Sequence, residues 1–112
     1  MSNTAMIFVY LTAGSVEEAR RIGRTLVEER LAACVNLIDG MVSIYHWQNT
    51  VEEARETVII AKTRADLFDA LAARVQALHS YTTPCIVELP AGRIEAGYLT
   101  WLAAETAAPK LT

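Results

Sequence analysis

The 112 residues suffice for one compact domain and are too few for two ordinary ones. Hydrophobic residues make up 53% of the chain and charged ones 21%, which excludes intrinsic disorder and leaves apolar side chains beyond the needs of one small core. Lys and Arg number 10 against 13 Asp and Glu, a formal charge of -3, so the broad positive field that holds nucleic acid or anionic lipid is missing.

In chain order, Met6-Ile7-Phe8-Val9-Tyr10-Leu11 is continuously apolar and rich in β-formers, as a strand covered on both faces would be. Thr12-Ala13-Gly14 breaks the run, and Ser15-Val16-Glu17-Glu18 has capping-box spacing, in which a hydroxyl and a carboxylate satisfy amides left free by the first turn. Val16, Ala19, Ile22, Gly23, Leu26 and Val27 then recur every three or four residues opposite Glu17, Arg20, Arg21, Arg24 and Glu28, which predicts a helix packing one face on a sheet.

Residues 33–38 return to strand, Asp39-Gly40 supplies a bend or bulge, and 41–47 continue the strand. Val42, Ile44 and His46 fall on one side of it, Met41, Ser43, Tyr45 and Trp47 on the other. Gln48-Asn49-Thr50 reads as a turn, Glu52, Glu53 and Glu56 as an acidic stretch at the hairpin base, and 57–62 as the partner strand. Thr63-Arg64-Ala65-Asp66 offers a second helix cap, followed by Leu67, Phe68, Leu71, Val75 and Leu78 at helical spacing to about His79. Thr82-Thr83-Pro84 forces an extended entry into a strand at 85–89, which Pro90 and Gly92 end. A last helix from about Glu95 carries Tyr98, Leu99 and Leu102 on one face, and 107–109 close an ordered core of about 5–106.

The order β-α-β-β-α-β with a terminal helix is the ferredoxin-like plan, an α+β sandwich in which two helices cover one face of a four-stranded antiparallel sheet. The other face is left bare, yet Phe8, Tyr10, Ile44, Val58 and Ile60 load it with apolar side chains, so burial in a closed homo-oligomer is expected. The first ten residues hold no Lys or Arg, and the apolar run at 5–11 is too short for a signal h-region or a membrane span. A cytoplasmic protein with neither membrane nor nucleic acid as partner is expected. Cys34 and Cys85 fall in apolar strand-like runs, where a reduced cysteine packs as a small hydrophobe.

Metal-ligand spacings, a phosphate loop and a dinucleotide fingerprint are absent from the sequence, and no nucleophile with its base is located by spacing, so catalysis is not predicted. Four side chains stand out as binding candidates. Lys62, one of two lysines, ends a strand directly before the expected Thr63 cap, where its ammonium and the free amides of a helix start would bind one anion. His79 ends the second helix, where it either meets the last carbonyls or faces a cleft as a metal-ligating imidazole. Tyr81 and Trp47 offer aromatic walls with polar tips, suited to a pocket or a subunit interface, and His46 beside Trp47 reads as packing or interface. The acidic stretch reads as a solvated face rather than a cation site.

Glu29-Arg30-Leu31-Ala32-Ala33-Cys34-Val35-Asn36, then Ser43-Ile44-Tyr45 with Trp47, Lys62-Thr63, His79 with Tyr81 and Pro84, and Tyr98-Leu99 with Trp101-Leu102 resemble, in this order, the CutA family from about 6 to 101. The resemblance implies a single CutA-like domain over 1–112 with the ferredoxin-like fold, assembled as a tight homotrimer whose sheet edges and long hairpins pack between subunits. It implies a non-enzymatic protein associated with divalent cation tolerance and copper binding, with no obligatory cofactor and Cu(II) or another divalent cation as ligand. The family's copper chemistry is attributed to a cysteine ending the first strand and two adjacent histidines ending the second helix. Leu11, Leu78 and His79 stand at those positions here, so only His79 keeps a ligand. The family's His-Pro-Tyr-x-x-Pro-Glu reads His79-Ser80-Tyr81-Thr82-Thr83-Pro84-Cys85, which makes Cys85 a soft-ligand candidate in place of an acid. An intersubunit cleft is expected, with His79 for metal, Lys62 for a small anion, and Tyr81 and Trp47 as walls. The alternative is a signalling module similar to the trimeric nitrogen-regulatory (PII-like) proteins, holding a nucleotide or organic anion in that cleft.

Overall fold

In the computed structural model, which describes residues 5–107, the first apolar run is β1 (Met6–Ala13), and the helix expected after it is α1 (Val16–Glu28). β2 (Cys34–Trp47) and β3 (Thr50–Arg64) form the long hairpin, a 3-10 turn at Ala65–Leu67 leads into α2 (Phe68–Leu78), and β4 (Ile86–Pro90) and α3 (Ala96–Glu105) follow. The strands make one four-stranded sheet in the order β2-β3-β1-β4, antiparallel throughout. The molecule is thus a mixed α/β fold of four antiparallel strands and three helices.

Strand alternation sorts the side chains. Ile7, Val9 and Leu11 of β1 pair with Thr63, Ala61 and Ile59 of β3 on one face, where Ile22 and Leu26 of α1 and Leu71 and Val75 of α2 close a dry core over them. Each such aliphatic side chain contributes about 1.5–3 kcal/mol by leaving water. Gly23 lets α1 come this near, because a Cβ there would lie 2.8 Å from Val35 Cγ2. Ser15 caps α1 as expected, its hydroxyl accepting the Glu18 amide at 3.1 Å.

The structure corrects several expectations. β3 begins at Thr50, because Gln48 and Asn49 make a two-residue turn with φ of 49° and 66°, the left-handed pair that matches strand twist. The acidic stretch therefore lies inside a strand. Glu52 and Glu53 pair with Tyr45 and Ile44 towards the tip, and only Glu56, opposite Met41, is near the base. Thr63 is no helix cap, since it belongs to β3 and its hydroxyl donates to the Leu31 carbonyl at 2.6 Å. Cys85 precedes β4, and Pro90 ends that edge strand, where a missing N–H is tolerated.

The face away from α1 and α2 is not bare either. α3 lies across one end of it, and Leu102 packs with Met6, Ala33 and Ile94. Val58 is buried there, while Phe8, Tyr10 and Ile60 are half-buried. Tyr98 and Leu99, expected to share the buried side of α3 with Leu102, remain exposed. Ile44 is not on that face at all. Between Ile38, opposite Val58, and Met41, opposite Glu56, β2 holds one residue more than β3. Past this bulge Met41, Ser43, Tyr45 and Trp47 share the side of Glu56, and Val42, Ile44 and His46 take the other.

Beyond the bulge the hairpin becomes an arm past the helices. It gives extents of 50 × 32 × 21 Å and a radius of gyration of 15.1 Å, against about 13 Å for a globular chain this long. Among the described residues no helix is long and apolar enough to cross a membrane. The closing segment expected at 107–109 lies partly outside the described residues.

Candidate functional site

His79 is the C-cap of α2, and its side chain is only 1% exposed. Its Nε2 lies 2.7 Å from the Thr12 carbonyl and its Nδ1 accepts the Tyr81 amide at 3.0 Å. A carbonyl only accepts and an amide only donates, so the ring is held with its proton on Nε2 and both nitrogens are spent.

Beside it, the Glu18 carboxylate does not close the capping box on Ser15. It accepts from the amides of Gly14 at 3.3 Å and Ser80 at 2.7 Å, and Oε2 stands 3.6 Å from His79 Nδ1. Burial alone would push its pKa up, but the hydrogen bonds from Ser80 and Gly14 outweigh burial and hold it below the ordinary carboxylate value. Glu18 thus pins the segment after α2 to the β1–α1 corner.

Tyr81 packs its ring on His79, centroids 4.6 Å apart at 49°, and donates its hydroxyl to Glu56 at 2.8 Å. Glu56 also accepts from Ser43 at 2.6 Å, which ties the same segment to the root of the arm. Burial first, and then the Glu56 carboxylate, push the Tyr81 phenol up to about 12, so it stays a donor at neutral pH. Burial, with Glu56 adding, also raises the Cys85 thiol, which disfavours the thiolate a soft metal ligand needs.

Lys62 lies elsewhere. It sits in β3 between Phe8 and Cys34, and its Nζ donates to Tyr98 Oη at 3.1 Å, 5.7 Å from the Phe8 ring centre and 5.4 Å from that of Tyr98. The expected partnership with a helix start fails because Thr63 is strand and no helix begins there. Tyr98 in turn stacks on Trp101, centroids 5.7 Å apart at 22°. Trp47 and His46 are exposed near the tip of the arm, opposite Thr50 and Val51.

Of the four expected cleft residues the fold therefore joins only His79 and Tyr81. Thr12, which holds His79, is four positions along β1 from Phe8, which faces Lys62, about 13 Å at strand rise. Trp47 is thirteen positions along β2 from Cys34, the other neighbour of Lys62, about 40 Å by the same rise. Leu11 is fully buried in the core and Leu78 packs against it, so neither position offers a donor. Among the described residues no three His, Cys, Asp or Glu side chains lie together as a metal site would need. His79 does not form a metal site within one protomer, because its unprotonated nitrogen is taken by the Tyr81 amide and no two further ligands of these types stand beside it among the described residues.

Sequence reasoning found His79 and Tyr81 but missed Thr12, Glu18 and Glu56, which position them. The capping-box spacing marked Glu18, though for a different amide, and the acidic stretch marked Glu56, though as a solvated face; nothing local marked Thr12.

Comparison with known proteins gives one consistent result. The sequence pattern of the CutA1 divalent ion tolerance protein family matches residues 7–105. The divalent-cation tolerance protein CutA of Thermus thermophilus is 49% identical over 98 residues, covering 88% of this chain and 95% of that protein. The solved structure of the periplasmic divalent cation tolerance protein CutA from Archaeoglobus fulgidus superposes with a TM-score of 0.89 at 41% identity, over 91% of this chain and 99% of that one. CutA1 from Oryza sativa gives a TM-score of 0.91 at 38% identity, over 96% of this chain and 100% of that one.

Proposed function

The chain belongs to the family of CutA1 divalent ion tolerance proteins, and from that premise we propose that it acts in divalent-cation tolerance as a non-enzymatic, homotrimeric binding protein. The observation that carries this reading is the match at 7–105, which reaches from the second residue of β1 to the end of α3. The strand order β2-β3-β1-β4, with α1 and α2 on one face, supports the ferredoxin-like plan for a single CutA-like domain. The arm supports self-assembly: Val42, Ile44, Trp47 and Val51 are 57–65% exposed, an apolar load that a second copy would cover.

Cu(II) or another divalent cation is the proposed cargo. A contact at His79 requires the ring to release the Tyr81 amide and to gain further donors from a neighbouring protomer. The cytoplasm is the proposed location, to be checked by fractionation, since the Archaeoglobus relative is described as periplasmic and a rice relative as chloroplastic. The nitrogen-regulatory alternative has no observation behind it among the relatives described above.

The test is calorimetric titration of the metal-free protein with Cu(II) and then Zn(II), beside His79→Ala. Micromolar binding weakened in the variant supports a cation contact at His79. Binding absent from both removes the cation cargo from the proposal, and growth of a copper-sensitive strain unaffected by the protein removes the tolerance role. A sedimenting species of three times 12.3 kDa is expected, and a 12.3 kDa species alone at micromolar concentration refutes the trimer.

A further inference from the structure

The arm leaves the body at a point built to bend. At the bulge Gly40 takes a φ of 84°, and Asp39 accepts from the Gly40 amide at 2.8 Å and from the Thr57 hydroxyl at 3.0 Å, which fixes the body side of the root. Past the bulge only two strands continue, and among the described residues two side-chain hydrogen bonds reach them from the body. Tyr10 donates to Met41 Sδ at 3.3 Å, and a thioether is a weak acceptor. Tyr81 donates to Glu56 Oε2 at 2.8 Å, and a carboxylate is a strong one. Ser43, on the facing strand, donates to Glu56 Oε1 at 2.6 Å, so this one carboxylate holds both strands of the arm and the phenol together.

Tyr81 is held at its other end by His79. Its amide donates to Nδ1 at 3.0 Å, its ring packs on the imidazole, and Nε2 is anchored on the Thr12 carbonyl. The backbone leaves room for the phenol, since a Cβ at Gly14 would lie 3.2 Å from Tyr81 Oη and crowd the hydroxyl off Glu56. Thr12, His79, Tyr81, Glu56 and Ser43 thus form one unbroken chain of hydrogen bonds from the buried strand β1 to the arm.

We propose that Tyr81 couples the ring of His79 to the direction of the arm, its amide held by the one and its hydroxyl holding the other, with Gly40 as the hinge. The two states are the hydroxyl on Glu56 and the hydroxyl released. A ligand that takes Nδ1 from the amide shifts Tyr81 and frees the arm, and by linkage an arm held in its braced direction keeps the amide on Nδ1. For the identity of that ligand the coupling rests on the cation reading of His79; the bonds themselves stand without it.

The experiment is amide exchange of the intact, metal-free protein, followed residue by residue by NMR. Tyr81→Phe keeps the ring on His79 and removes only the hydroxyl. Exchange at 41–47 and 50–56 is expected to rise at least tenfold, while β1 and α1 keep the parent rates. Gly14→Ala should raise arm exchange several-fold by crowding the same hydroxyl. Two replacements of His79 read the coupling. The side-chain oxygen of Asn takes the place of Nδ1 and still accepts the Tyr81 amide, whereas Gln reaches the place of Nε2 and keeps only the Thr12 bond. His79→Gln is therefore expected to speed arm exchange at least fivefold, and His79→Asn less than twofold. Coupling is reciprocal, so Tyr81→Phe also speeds exchange of the amide at position 81, which decides the matter if melting shows a His79 variant to be unfolded. Arm exchange unchanged in Tyr81→Phe, equal effects of the two folded His79 variants, or an amide at position 81 that keeps its parent rate overturns the proposal. No cation is present in these measurements, so a flat copper isotherm and an unchanged exchange rate are separate failures of separate readings.

Discussion

Ile59 and Ile44 are the same side chain in adjacent antiparallel strands of one hairpin, yet the first is fully buried and the second is 65% exposed. The difference lies in what each strand has above it. Around Ile59 the sheet is four strands wide, with β1 alongside and α1 and α2 on top, so backbone pairing and apolar burial reinforce each other. Around Ile44 only β2 and β3 remain, and pairing must hold alone. A two-stranded ribbon by itself is marginal in water. The body of this protein is therefore stabilised from within the chain, and the arm by continuity with the body and by whatever covers its flanks.

Alanine substitution breaks or sharpens that contrast most directly. Ile59→Ala is expected to cost about 2–5 kcal/mol by urea denaturation, from lost transfer energy and the cavity left behind. Ile44→Ala, measured at concentrations too low for the proposed assembly, should cost less than about 0.5 kcal/mol. Equal losses at every concentration would mean that the arm is as self-sufficient as the body.

Gly23→Ala should cost about 1–3 kcal/mol by the same measurement, since the new methyl meets Val35 and must push α1 off β2. Glu18→Gln tests the corner where body and arm root are tied together. The folded pKa of Glu18 is lowered, so its stabilisation is present above the unfolded value of 4.5 and is lost as pH falls below that through the folded value. The variant should lose about 1–2 kcal/mol at neutral pH and show less acid sensitivity than the parent below pH 4.5. A local effect alone is expected at the arm's tip, where Gln48→Gly relieves a left-handed residue. It should raise amide protection of the tip by less than about 1 kcal/mol and leave the melting of the body unchanged.

The body is legible in the sequence because β1 is apolar throughout, as a central strand is, and α1 carries its apolar residues at helical period. Ser15, the helical repeat of α1 and the Asp39-Gly40 irregularity all mean in the structure what they mean locally. The arm is less legible, since a ribbon with neither face buried has no reason to alternate, and Glu52-Glu53 therefore reads as an acidic stretch at the hairpin base rather than as strand near the tip. Thr63 misled for a related reason: a residue good at capping is equally good at sending its hydroxyl to a distant carbonyl, here that of Leu31. α3 was placed correctly in the chain, but its docking rests on Leu102 alone among its buried residues, too thin a stripe to reveal that it crosses the second sheet face. Of the site, His79 and Tyr81 announced themselves by type. What fixes them, a carbonyl 67 residues away and a carboxylate 25 away, is a property of the assembled fold.

The extra residue in β2 marks the one place where the arm has slack. With Gly40 removed, Asp39 alone would join Ile38 to Met41, Met41 would still stand opposite Glu56, and Tyr45 and Trp47 would keep the side they now hold. The same loss between Met41 and Trp47 has no bulge to absorb it, and every β2 side chain from there to the tip would turn to the other flank. A single codon is thus harmless to the arm's facing at one position and re-addresses the most exposed apolar surface of the molecule a few positions later.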